Sequence, residues 1–150
     1  MDRNLVPISI LLVEDNPNDV EITARALKGA QVKNELIVAR DGQEALDILF
    51  ARKNGNGDGP LPGLILLDLN LPRVNGHEVL KAIRDDPQLC HIPVVMLTAS
   101  TREEDIVRSY QLGVNTFIPK PVAFGDFIKA VTTIKEYWLV IAALPPVQRS

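Results

Sequence analysis

The sequence predicts an α/β fold, a parallel sheet covered on both faces by helices, and two observations predict it. Short apolar runs without polar alternation recur along the chain: ISILLV at 8–13, LILL at 64–67, IPVVML at 92–97 and the brief TFI at 116–118. A strand with one wet face alternates, so continuous runs imply burial on both faces. Between them lie longer stretches with apolar residues three and four apart, the helical period. Strand, turn and helix therefore alternate, as in βα units.

Each element carries its own signals. After the first strand, Asn16-Pro17 offers a cap and a first-turn proline; Val20, Ala24 and Leu27 then mark a helix, with Glu21 and Arg25 one turn apart. ELIVA at 35–39 is a fifth strand candidate, poorer in apolar content and suited to a sheet edge. Asp41 and Glu44 have capping-box spacing, with Leu46, Leu49 and Phe50 behind them. Val79, Leu80 and Ile83 follow Gly76 in a helix that should end before Pro87. In the fourth strand Pro93 is tolerable because it stands near the start. Thr101 and Glu104 form a second candidate capping box, followed by Ile106, Val107 and Tyr110, with Gly113 as the stop. Phe124, Phe127, Ile128, Val131, Ile134 and Trp138 define a fifth helix. NGNGDGPLP at 54–62 reads as a mobile surface loop.

Composition narrows the function. The 150 residues suit one domain, and 46% hydrophobic with 23% charged is an ordinary globular balance. Sixteen basic residues against 19 acidic ones give a net charge of −3, without a Lys/Arg cluster to neutralise a phosphate backbone; nucleic acid is not an expected partner. Cys90 has no second cysteine to pair with, and its neighbour His91 would point away from it in an extended chain, so a reducing cytoplasm is expected and a zinc site is not. The apolar runs at 10–13 and 137–144 are too short to span a membrane, which takes roughly 20 residues.

In open α/β sheets, ligands bind beyond the carboxyl ends of the strands. Glu14 and Asp15 follow the first strand, Asp68 the third, Thr98 the fourth and Lys120 the fifth. Taken singly, each has an ordinary use as a cap, a turn or a solvated residue. Together they form one chemistry. Three carboxylates at one sheet edge repel one another unless a cation sits among them, and an oxygen-only ligand set favours Mg²⁺ over zinc or copper. Such an ion commonly also takes a phosphoryl oxygen, whose neighbours Lys120 and the Thr98 hydroxyl would neutralise. Asp68 is then the carboxylate left to act as nucleophile.

LLVEDNP at 11–17, LILLDLNLP at 64–72 with Gly76, PVVMLTAS at 93–100 and FIPKP at 117–121 resemble the signature segments of the receiver domain of bacterial two-component response regulators. The resemblance spans 6–138 and implies a (βα)5 fold with strand order 2-1-3-4-5. It further implies that Glu14 and Asp15 are the magnesium-binding acids, Asp68 the phosphoacceptor, and Asn70 the donor of a main-chain carbonyl to the metal. Thr98 resembles the switch hydroxyl, Phe117 the switch aromatic and Lys120 the phosphate-binding lysine, with a cis bond before Pro121. EDNPND, DLNLPRVNG and SYQLGVNTFIPKP, with a tail carrying YW and LP, are similar to single-domain regulators paired with cyanobacterial phytochrome histidine kinases. A phosphoacceptor switch served by such a kinase is the expectation.

Two alternatives use the same sheet. A dehalogenase-type phosphohydrolase would want D-x-D at the nucleophile, but Asn70 stands at the second position. A flavodoxin-like binding module would want a hydroxyl-rich loop where Glu14 and Asp15 would repel an anion. No P-loop motif occurs. The residues at 139–150 form an apolar extension of about a dozen, too few for an output domain. YWLVIAAL at 137–144 is apolar all round, beyond the stripe a packed helix needs, so a homodimer through the last helices and tail is expected.

Overall fold

The computed structural model describes residues 8–29, 34–99 and 102–120, with Ala123 and Gly125. Five strands, β1 Ile10–Val13, β2 Leu36–Ala39, β3 Leu64–Asp68, β4 Val94–Thr98 and β5 Thr116–Pro119, make one parallel sheet of order β2-β1-β3-β4-β5. Among the described residues four helices alternate with them: α1 Pro17–Gly29, α2 Gly42–Lys53, α3 Gly76–Asp85 and α4 Glu103–Gln111. The fifth predicted helix, the 139–150 tail, Thr101 and the Lys120–Pro121 bond fall outside what is described.

The sheet is dry on both faces, as the unbroken apolar runs require. Leu11, Val13, Ile65, Leu67 and Met96 point to one side, onto Ala45 and Leu49 of α2 and Val79, Leu80 and Ile83 of α3. Their strand neighbours Ile10, Leu12, Leu64, Leu66, Val95 and Leu97 point to the other, onto Ala26 and Leu27 of α1. Fully burying each of the Leu, Ile, Val and Met side chains stabilises by about 1.5–3 kcal/mol. β2 takes the edge position its weaker apolar content suggests, with three of its four residues only half-buried.

Local chemistry fixes the helix ends. Asn16 Oδ1 accepts from the Asn18 and Asp19 amides at 2.8 and 3.3 Å, so the predicted cap forms in front of Pro17. On α1, Thr23 rather than Ala24 reaches the core; Ala24 is half-buried. Asp41 Oδ1 accepts from the Glu44 amide, while Glu44 reaches back one residue further than a capping box, to the Arg40 amide at 2.7 Å. A full capping box stands at α3, between Asn75 and Glu78. Arg102, not Thr101, occupies the N-cap of α4, and no side-chain cap bond forms there. Gly113 ends α4 as expected: with φ +97 it bonds the Tyr110 carbonyl while the Val114 amide bonds Ser109, a Schellman closure.

Register aligns the strand ends. Val13 is level with Ala39 and Leu67, Asp68 with Leu97, and Thr98 with Pro119. The chain leaves β1 toward β2 on one side, while β3 lies on its other side, so the strand order reverses at β1. This is where such sheets open a crevice.

Candidate functional site

The residues at that crevice come from four strand ends. Glu14 and Asp15 leave β1, Asp68 ends β3, Thr98 ends β4 and Lys120 follows β5. Asp68 and Thr98 are the last residues of their strands rather than the first beyond them, which explains their burial to 3% and 4% exposure. The strand fixes their backbones, and only their side chains reach the open edge.

Glu14, Asp15 and Asp68 each offer a carboxylate oxygen, and these atoms lie within 4.8 Å of one another. Lys120 is their counterion: its Nζ stands 2.7 Å from Glu14 Oε1 and 3.2 Å from Asp68 Oδ2. It also meets Asp19 Oδ2, in the first turn of α1, at 3.0 Å. The Lys120 amide donates to the Thr98 carbonyl at 2.9 Å, tying the β5 end to the β4 end. Asn70 is exposed, and its amide donates to Asp68 Oδ1 at 3.3 Å, folding the loop back over the carboxylate.

The electrostatics of the group are unbalanced. Burial pushes the Glu14 carboxyl up to about 7; the Lys120 contact opposes the rise and the Asp68 charge adds to it. Burial works against the Lys120 charge too, yet its contacts with Glu14, Asp19 and Asp68 outweigh that and hold its pKa above the usual lysine value. Glu14 is wholly enclosed, and its Oε1 touches the ammonium without hydrogen-bond geometry and accepts from no described group. Three carboxylates that share one ammonium leave negative charge at this edge, which a cation among the three acids would offset. The oxygen-only donor set thus fits a hard divalent ion.

Beside the site, a crevice too narrow to hold a water separates Thr98 from Phe117, walled by Met96, Ile106 and Ser109. Phe117 is half-buried and meets the edge of Tyr110, ring centroids 6.1 Å apart at 75°. His77 of α3 holds two of the α4 residues that line the crevice: its Nε2 lies 3.0 Å from Ser109 Oγ and 3.3 Å from the Asp105 carbonyl.

Of the candidate site residues, Glu14, Asp15, Asp68, Asn70, Thr98 and Lys120 stand at this edge and Phe117 lines the crevice beside it. Asp19 and His77 were missed. Asp19 reads as an ordinary first-turn acid, and its contact with Lys120 crosses 101 positions of sequence with no local trace.

Residues 10–132 match the response regulator receiver domain. The chain belongs to the response regulator receiver family. It is 42% identical to the response regulator Rcp1 of Synechocystis sp. over 145 residues, 96% of this chain and 97% of that one. The Mn²⁺-bound structure of Rcp1 has a TM-score of 0.71 at 41% identity, covering 96% of this chain and 99% of its own. The bacteriophytochrome response regulator AtBRR has a TM-score of 0.80 at 51% identity, covering 89% and 96%. The phosphorylated cyanobacterial phytochrome response regulator RcpA has a TM-score of 0.73 at 42% identity, covering 89% and 95%. This receiver therefore functions in response-regulator signalling, and its sheet order is the one the resemblance implied.

Proposed function

We propose that this receiver takes a phosphoryl group from a histidine kinase, a bacterial phytochrome, onto Asp68 in the presence of Mg²⁺. The observation that carries the reading is the Asp68 carboxylate at a strand end, 3.2 Å from Lys120 and grouped with Glu14 and Asp15. The likeness to the bacteriophytochrome response regulator AtBRR, to the phosphorylated phytochrome response regulator RcpA and to the Mn²⁺-bound response regulator Rcp1 supports it.

Glu14, Asp15, Asp68 and the Asn70 main-chain carbonyl would hold the ion, which supplies positive charge against phosphoryl oxygens. A carboxylate oxygen of Asp68 attacks the phosphorus of a phosphohistidine. As the P–O bond forms, the P–N bond breaks and its electron pair returns to the imidazole. Lys120 donates to one peripheral phosphoryl oxygen, and the Thr98 hydroxyl to another, so charge is met where it develops. Asp68 leaves its ion pair with Lys120 in the process. Neutralising that carboxylate is what frees the ammonium for the new ligand.

Thr98 lies on the crevice that Phe117 also lines. A bond from Thr98 to the phosphoryl group draws the β4–α4 loop toward the site, and Phe117 turns into the space released. The change emerges on α4, where Val107 and Tyr110 are 46% and 45% exposed. That exposed apolar pair belongs to the surface we assign to a second copy of the chain; the expected contribution of the residues at 139–150 lies outside the described residues. The receiver unit is read as 6–138, working in the cytoplasm as a switch whose only chemistry is its own phosphorylation and dephosphorylation. Asn70 leaves no second acid for turnover of phosphate esters. No described helix is long and apolar enough to cross a membrane.

Intact-mass measurement after treatment with acetyl phosphate tests the reading. One phosphoryl group should be gained with Mg²⁺ and none with a chelator. Equal gain by Asp68→Ala would overturn it.

A further inference from the structure

Lys120 has three donor hydrogens and three carboxylate neighbours, and only two of those neighbours belong to the acidic cluster. The third, Asp19, stands apart from that cluster. It lies in α1, whose first turn is pinned by Asn16, and the Asp19 amide itself donates to Asn16 Oδ1 at 3.3 Å. Its carboxylate is therefore aimed from a rigid helix end at a lysine on the opposite side of the crevice. The Lys120 side chain is 13% exposed and that of Asp19 is 31% exposed, so the pair sits at the mouth, partly shielded from water.

The other two partners are temporary by their chemistry. Asp68 loses its carboxylate charge when it is phosphorylated, and Glu14 is one of the three acids that would share a bound cation. Asp19 is the partner neither event removes. From this geometry we infer that Asp19 is a positioning residue for phosphoryl transfer, holding the Lys120 ammonium where the peripheral phosphoryl oxygens arrive. The inference rests on the reading of Asp68 as phosphoacceptor and Lys120 as phosphate ligand. It adds a residue that acts through Lys120 and touches neither the metal ligands nor the reacting atoms.

A double-mutant cycle isolates this role, because two residues acting through one contact give non-additive effects. The rate constant for Mg²⁺-dependent phosphorylation by acetyl phosphate is measured for wild type, Asp19→Ala, Lys120→Ala and the double variant. Mg²⁺ affinity is followed in parallel by calorimetry. Asp19→Ala should slow phosphorylation by about fivefold, the size expected when one of several bonds orienting a charged group is lost. Mg²⁺ affinity should stay within about twofold, since Asp19 is outside the ligand set. Asp19→Asn, which keeps an acceptor at the same reach, should recover most of the rate and serves as the reporter if the alanine variant folds poorly. In the Lys120→Ala background Asp19→Ala should add no further loss. An undiminished rate in Asp19→Ala, or an equal further loss in the Lys120→Ala background, overturns the inference. A wild-type chain that gains no phosphoryl group would instead overturn the reading beneath it.

Discussion

Gly76 stands directly against the carbonyl of Asp68: a Cβ on it would lie 2.4 Å from that oxygen and 2.7 Å from the Leu69 Cα. Its amide also donates to the Leu69 carbonyl at 2.9 Å, so the start of α3 and the loop beyond β3 are one packed unit. The constraint is contact, not backbone dihedral, because Gly76 is absent from the residues with positive φ.

Gly76→Ala should therefore destabilise the fold by about 1–3 kcal/mol, the cost of forcing an extra methyl into a packed site. Urea unfolding monitored by circular dichroism measures this. The same variant should take up phosphate more slowly, because the methyl presses on the Asp68 carbonyl and on the Leu69 backbone beside it. A midpoint equal to that of wild type would mean that the loop yields without strain.

Thr98→Ala separates phosphorylation from its readout. The variant keeps the Asp68, Lys120 and acid cluster intact, so it should still gain a phosphoryl group in the mass spectrum. What it should lose is the phosphorylation-dependent change in sedimentation, since no hydroxyl draws the β4–α4 loop inward. A wild-type response would place the coupling in other residues.

His77 supplies a pH dependence with a defined sign. Ser109 Oγ already donates to the Asp105 carbonyl at 2.9 Å, so the His77 Nε2 must carry the hydrogen it shares with them. Burial lowers the His77 pKa, the bond to the Asp105 carbonyl raises it, and nearby Arg108 lowers it further against the Asp105 charge. The net position is below the ordinary 6.5. The unfolded chain then binds the proton first, so the stability from this contact is complete above 6.5 and is lost as pH falls toward the folded value. Glu14 runs the other way: raised to about 7, it adds stability as pH falls toward 4.5. Comparing wild type with His77→Gln in urea across that range cancels the Glu14 part. The wild type should lose stability relative to the variant as acidity increases; parallel curves would remove His77 from the balance.

Much of this was legible in the sequence because the relevant physics is local or periodic. Unbroken apolar runs marked four of the strands and the weaker run at 35–39 the edge strand, and reading the residues at the carboxyl ends gave the acids, Thr98 and Lys120. Strand ends slipped by a residue or two because hydrogen bonding, not hydropathy, ends a strand: Asp68 and Thr98 still pair with their neighbours. The Asn75/Glu78 capping box was present in the sequence and went unread, overshadowed by Gly76. Other features leave no local mark. Arg84 donates to the carbonyls of Cys90, Ile92 and Gly113 and to Asn115 Oδ1, bracing the loop before β4 and the approach to β5. It looks in sequence like any surface arginine on α3. Asp19 was missed for the same reason, its partner being brought up by the sheet order alone.

The position of the phosphoryl group tests the central claim most directly. Borohydride reduces an acyl phosphate to the alcohol, so an aspartyl phosphate becomes homoserine and is located by peptide mapping. After acetyl phosphate and Mg²⁺, homoserine should stand at position 68 alone and should be absent when the metal is chelated. Homoserine at another acid, or phosphate that resists borohydride, would contradict Asp68 as the acceptor.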